Sequence, residues 1–362
     1  MFEAAPVGSV NLGLGEPDFN PPASVIDALI QAVRDGNNKY GPSAGIPALR
    51  EAIAERYAKH DPSTRRENVI VTMGGSEALL VAALTLYDPG DEVLVPNPGF
   101  VLYAPHARMA GATPVPYSLR EENGFLPDPA ELDALVTPRT RAIVVNSPSN
   151  PTGAVFPRKT VEMIARFADD HRLMIISDEV YDEIVYTRTP YTSFWGQSDR
   201  VVVVNSFSKL FAMTGWRLGY LLASRSVAVE ANKVHYHIMA CPSTPCQIAA
   251  AEGLVHPPPE TAEMIAEFRK RRDLTVRLLN RIPGVRCVKP EGAFYAFPHL
   301  NWGLSTQNVA QQLLQMGLIS TPGESFGSLG AGHLRISFAN SQENIRRGLT
   351  ILQDYAEHRK GR

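Results

Sequence analysis

Between Val69 and Leu222, short runs rich in valine and isoleucine alternate with helical patterns, and this alternation constrains the fold more than any other feature. Strands are predicted at Val69–Thr72, Glu92–Val95, Thr113–Tyr117, Ala142–Val145, Leu173–Ser177, Val201–Asn205 and Leu218–Leu222. Runs apolar on both sides suit strands buried on both faces. A helical pattern from Arg158 to His171 lies between two of them, with Pro157 expected at its first position. The expectation is an α/β fold: a mostly parallel seven-stranded sheet covered by helices. Such sheets bind ligands beyond the carboxyl ends of their strands.

The pattern changes after about Ala251. His256-Pro257-Pro258-Pro259 reads as a break, and an amphipathic stretch from Glu260 to about Asn280 follows. Strands are expected near Val285–Val288, Ala293–Phe297 and Leu334–Phe338, with helices at Thr306–Met316 and Gln342–Tyr355. That mixture predicts a smaller α+β domain. The expected division is a large domain over residues 35–260 and a small domain made of 1–34 and 261–362.

A chain of 362 residues buries a full core. Its net charge of -2 points away from nucleic acid and from acidic membrane surfaces. No apolar run reaches membrane-spanning length. Met1 to Val10 lacks a basic stretch followed by an apolar core, so no signal peptide is read. Cys241, Cys246 and Cys287 are odd in number and lack zinc spacing, so no metal site is expected. A reducing cytoplasm suits them. Cys241 and Cys246 read as packing residues, with a redox pair as the other reading.

The segment Asn205-Ser206-Phe207-Ser208-Lys209, continuing to Gly215-Trp216-Arg217, places a lysine directly past a buried strand. Burial and cationic neighbours lower a lysine's pKa, and a neutral amine forms Schiff bases. Arg217 and the hydroxyls of Ser206 and Ser208 suit a phosphate. A lysine beside a phosphate site suggests pyridoxal 5'-phosphate. Three other segments join it. Asp178 ends an apolar strand, where a carboxylate facing a pyridine nitrogen would keep that nitrogen protonated. Tyr181 stands three residues on. Ser147-Pro148-Ser149-Asn150-Pro151-Thr152-Gly153 is turn chemistry that also offers an amide donor at Asn150. Gly74-Gly75-Ser76 carries a strand into a helix, whose first N–H groups suit an anion.

Together these segments resemble the aspartate-aminotransferase family, the class I/II aminotransferases of PLP fold type I. Leu14-Gly15-Glu16-Pro17-Asp18-Phe19, the segment Lys39 to Arg50, and His333-Leu334-Arg335-Ile336 extend the likeness over nearly the whole chain. The resemblance implies that Lys209 carries the cofactor as a Schiff base and that Asp178 pairs with its ring nitrogen. Asn150 and Tyr181 would bond its phenolic oxygen, and Phe100 would stack on the ring. Gly75, Ser76, Ser206 and Arg217 would hold the phosphate, with Tyr40 arriving from the partner of a homodimer. Arg335 would clamp the substrate α-carboxylate, helped by Asn150 and the Gly15 backbone.

The activity implied is ping-pong transfer of an amino group from an L-amino acid to a 2-oxo acid, 2-oxoglutarate by family habit. Lys209 would serve as base and then acid. Aspartate, aromatic and neutral donors stay open, with Phe19, Phe100 and Trp195 offering aromatic surface. A lyase, cyclase or amino-acid oxidase on this fold is the alternative. A ligand-sensing regulator is the non-enzymatic reading. The likeness begins by about residue 11, and Ala356 to Arg362 is short, which leaves no room for a DNA-binding domain.

Overall fold

The computed structural model describes residues 5–360. Met1–Ala4, part of the stretch read for a signal peptide, and Gly361–Arg362, part of the final stretch, lie outside the described residues.

Seven strands form the main sheet: β1 (Val69–Thr72), β2 (Glu92–Asn97), β3 (Thr113–Ser118), β4 (Thr140–Asn146), β5 (Met174–Asp178), β6 (Val201–Ser206) and β7 (Gly219–Leu222). Their order across the sheet is β1-β7-β6-β5-β4-β2-β3. Neighbours from β3 to β6 run parallel. β7 runs antiparallel to both β6 and β1. The chain leaves β6 at Ser206 and returns at once, so that Ser206 pairs with Gly219. The loop between them therefore stays at the same end of the sheet as the exits of β1, β2, β4 and β5.

Alternation within each strand feeds two cores. Val201 and Val203 of β6 pack into one, with Ile143 and Val145 of β4. Val202 and Val204 pack into the other, with Ala142 and Val144. Both faces are thus covered, as the apolar runs predict. The partly exposed edge strand β3 carries Pro114 and Pro116, which suit an edge because proline gives no ladder hydrogen.

A third core joins Val10 and Leu12 to Phe294, Leu313, Leu334, Ile336 and Leu349. Helices Pro259–Leu279, Thr306–Gln315 and Gln342–Lys360 surround it. Val10 pairs in parallel with Leu318, which ties the N-terminal segment to this unit. Helix Ala23–Arg34 goes elsewhere. Its Val25 belongs to the sheet's core, beside Gly253 of helix Thr244–Val255. Helix Ala23–Arg34 thus packs with the sheet, whereas Val10 and Leu12 pack with the C-terminal residues. Pro157 differs from expectation. It is the N-cap, with extended ψ of 155°, and Arg158 is the first helical residue. Among the described residues, no helix is long and apolar enough to cross a membrane.

Candidate active site

The exits of β1, β4, β5 and β6, the entry to β7, and the strand Leu334–Ser337 meet around a cavity of ≈ 270 Å³.

One end of the cavity suits an anion. β1 leads into helix Gly74–Leu86, whose N-cap Met73 offers no side-chain cap. Gly74 has φ +80°, and a Cβ there would lie 2.8 Å from Arg217 Nη2. A Cβ on Gly219 would lie 2.6 Å from the Gly74 carbonyl carbon and 2.7 Å from Gly75 N. Glycine at both positions lets a guanidinium and a helix N-terminus share one space. Arg217 itself is left-handed at φ 54°, and its Nη1 donates to the Thr214 carbonyl at 2.9 Å. Gly75, Ser76, Ser206 and Ser208 line the same end. Ser206 caps the short helix Phe207–Leu210 by accepting from Ser208 N at 3.1 Å.

That helix carries Lys209. Its Nζ donates to the Gly15 carbonyl at 2.7 Å and lies 5.7 Å from the Phe294 ring centre. Burial pulls the Lys209 amine down to about 8. The Glu16 carboxylate opposes the shift, whereas Arg335 and Arg217 reinforce it. The neutral amine, which a nucleophile needs, is therefore far more populated near neutral pH than in an exposed lysine.

Asp178, at the end of β5, is 3% exposed. Its Oδ2 accepts from Tyr103 Oη at 2.7 Å and its Oδ1 from Val180 N at 3.3 Å. Burial raises it to about 6, and the Tyr103 hydrogen bond holds it lower than burial alone would. Phe100 lies beside Tyr103, ring centres 5.8 Å apart, and lines the cavity. Tyr181 Oη and Tyr295 Oη are 2.9 Å apart. Burial holds the Tyr181 phenol well above its ordinary value.

Arg335 comes from the C-terminal unit. Its Nη1 donates to Asn150 Oδ1 at 3.0 Å and its Nη2 to the Gly13 carbonyl at 2.6 Å. The guanidinium lies over the Tyr295 and Phe326 rings, 4.6 and 4.9 Å from their centres. Its Nε is buried without a partner. Asn150 is itself fixed, since its N–H donates to Asn146 Oδ1 at 2.7 Å. Gly15 lies so close to Tyr295 that a Cβ would sit 2.1 Å from Tyr295 Oη.

Every sequence-predicted site residue except Tyr40 lines this one cavity: Gly15, Gly75, Ser76, Phe100, Asn150, Asp178, Tyr181, Ser206, Lys209, Arg217 and Arg335. Tyr40 is 90% exposed. Phe19 and Trp195, read as aromatic substrate surface, do not line it. Phe19 packs edge-on against Phe268, and Trp195 is buried with its Nε1 donating to Thr64 Oγ1 at 2.8 Å. Sequence reasoning gave no role to Tyr103, Asn146, Thr214 or Tyr295. The Tyr103 signal was its place three residues past Phe100, where an opening helix turns it toward β5. Tyr295 follows Gly292-Ala293-Phe294 on a strand whose facing was not readable.

The sequence matches the family described as aminotransferase class I and II over residues 7–352. The chain belongs to the class I and II aminotransferases. It is an enzyme of amino-group transfer, EC 2.6.1.-. This aminotransferase is 40% identical to an aspartate aminotransferase of Pyrococcus horikoshii, covering 97% of this chain and 91% of that one. It is 39% identical to aromatic-amino-acid aminotransferase 2 of Thermococcus litoralis, over 98% and 93% of the two chains. The solved aromatic aminotransferase of Pyrococcus horikoshii superposes with a TM-score of 0.94 at 37% identity, over 97% and 96%. The α/β fold of the aminotransferase, PLP fold type I, follows from these likenesses.

Proposed function

We propose that this aminotransferase uses pyridoxal 5'-phosphate to move the amino group of an L-amino acid to a 2-oxo acid, with 2-oxoglutarate as acceptor, in a ping-pong cycle. The observation that carries the reading is the convergence of Lys209, Asp178 and Arg335 on one cavity that ends in an anion-suited helix N-terminus.

The donor set fits that cofactor. Gly75, Ser76, Ser206 and Arg217 suit the phosphate, and the side-chain-free Gly74 and Gly219 leave room for it. Asp178 suits the pyridine nitrogen, Phe100 the ring face, and Asn150 and Tyr181 the phenolic oxygen. When bound, pyridoxal 5'-phosphate supplies a reactive carbonyl and an electron-withdrawing ring. Asp178, ionised above about pH 6, holds a proton on the ring nitrogen. Arg335 turns its two Nη groups from Gly13 and Asn150 to the substrate α-carboxylate. With the cofactor bound, Lys209 Nζ would take the substrate α-proton and would deliver it, on the same face, to the cofactor carbon that bore the aldehyde.

Aspartate, aromatic and neutral donors all present the carboxylate that Arg335 suits. The names of the two relatives support keeping both acidic and aromatic donors. A homodimer is part of the proposal, with Tyr40 reaching the partner's phosphate site. The exposed Tyr40 side chain supports this, and three free cysteines suit a cytoplasmic setting. Two units that share the cavity are also proposed. They follow the expected division except that helix Ala23–Arg34 moves with the sheet. Product analysis tests the reading. An oxo acid formed in step with glutamate supports it, whereas ammonia release or oxygen uptake means elimination or oxidation.

A further inference from the structure

Behind the anion-suited end, a buried chain of hydrogen bonds joins helix Gly74–Leu86 to the loop that carries Tyr40. His235, on helix Arg225–Ile238, is fully buried. Its Nδ1 lies 2.9 Å from Glu77 Oε1 and its Nε2 3.0 Å from the Ser43 carbonyl oxygen. A carbonyl only accepts, so Nε2 carries a hydrogen. A second proton must then lie between Nδ1 and Oε1, or two lone pairs would face each other in a buried space. The other Glu77 oxygen accepts from the backbone N–H of Met73, the N-cap of the helix. Glu77 thus supplies the in-helix half of a capping box by satisfying the Met73 N–H, and the first-turn N–H groups that a Met73 side chain does not cap are left to an anion. One turn before His235, Asn232 Oδ1 accepts from Ser43 Oγ at 3.2 Å.

We infer that His235 is a positioning residue for the phosphate of the cofactor. Through Glu77 it fixes the first turn of helix Gly74–Leu86, where Gly75 and Ser76 line the cavity. The Ser43 carbonyl anchors His235 itself, while the loop of Tyr40 is held independently by Cys241 Sγ at Gly41 N and by Thr244 Oγ1 at the Lys39 carbonyl. The inference rests on the proposed reading of Gly75, Ser76 and Arg217 as the phosphate cradle.

The two arms are separable. An asparagine amide nitrogen reaches close to the place of Nδ1, and a glutamine amide nitrogen close to that of Nε2. His235→Asn therefore keeps a donor for Glu77, and His235→Gln keeps one for Ser43. Loss of the Glu77 arm leaves a buried carboxylate oxygen without its partner and frees the helix cap.

The test uses the full chain freed of cofactor and compares its affinities for pyridoxal 5'-phosphate and for pyridoxal, which lacks the phosphate. The ratio of the two reports the phosphate site alone, whereas general damage weakens both. His235→Gln lowers the ratio about tenfold, the scale of one charge-assisted hydrogen bond, while pyridoxal affinity stays within about twofold. His235→Asn keeps the ratio. Glu77→Ala, which leaves His235 joined to Ser43, lowers the ratio as His235→Gln does. An unchanged ratio in His235→Gln or Glu77→Ala overturns the inference, as does equal weakening of both ligands. A ratio lost in His235→Asn overturns the route through Glu77. A wild-type ratio near one instead overturns the phosphate cradle itself.

Discussion

Lys209 Nζ donates to the carbonyl oxygen of Gly15 at 2.7 Å, across a cavity formed by distant parts of the chain. Arg335 donates to Gly13, two residues earlier in the same segment. The amine that suits an aldehyde and the guanidinium that suits a carboxylate therefore both hold the N-terminal segment in place. A ligand that engages either cation takes a hydrogen bond from that segment.

Lys209→Ala removes the amine that attacks, and then moves a proton. Turnover should fall roughly 10³-fold or more, the scale of a lost acid–base group. Single-turnover kinetics with saturating amino acid measure it, and retained transamination contradicts the assignment. In the wild-type chain freed of cofactor, the rate of reaction with an added aldehyde should rise with pH through a midpoint near 8 and level off above it. A rise continuing to the ordinary lysine range would mean an exposed amine.

Tyr103→Phe deletes the phenol that donates to Asp178. Burial already raises Asp178 to about 6, and loss of that donor raises it further. The acid limb of kcat/KM should move to higher pH in the variant. The stability effect has a fixed sign in the cofactor-free chain. Because the folded state raises this carboxyl, its contribution is present at acid pH and is lost as pH rises through about 6. An acid limb that stays in place would remove Tyr103 from the site's electrostatics.

Arg335→Lys keeps a positive charge but loses the planar fork that suits a carboxylate. KM for the amino acid should rise about 10- to 100-fold, equivalent to the loss of one or two charge-assisted bonds. Steady-state kinetics with several donors measure it. Unchanged KM would point to another carboxylate site.

Much of this site was legible because its residues lie where strands end. Lys209, Asp178 and Asn150 each follow an apolar run that is a sheet strand in the structure. Pairing direction was less legible. The antiparallel return of β7 depends on how the Lys209 loop folds back, which no periodicity records. The packing of helix Ala23–Arg34 was not legible either, because Gly253, opposite its Val25, is far away in sequence. Tyr295 was missed for a similar reason. Its hydroxyl reaches Tyr181 only because Gly15, from a third segment, leaves the space.

Gly219→Ala tests the close approach behind the anion-suited end. The new methyl would stand against the backbone of Gly74 and Gly75 rather than against a movable side chain. Overpacking of this kind costs about 1–3 kcal/mol. Thermal unfolding should show the loss, together with weaker pyridoxal 5'-phosphate binding. Wild-type Tm and affinity would contradict the geometry.

Whether Lys209 and its neighbours use pyridoxal 5'-phosphate to shuttle amino groups is read out by an absorbance spectrum. The purified protein, supplied with the cofactor, is recorded before and after adding single amino acids and then 2-oxoglutarate. A visible band should appear that one donor removes and the oxo acid restores, with no band of that kind in Lys209→Ala. Absence of any band in the wild type, or a band that no oxo acid restores, would contradict that use of the cofactor.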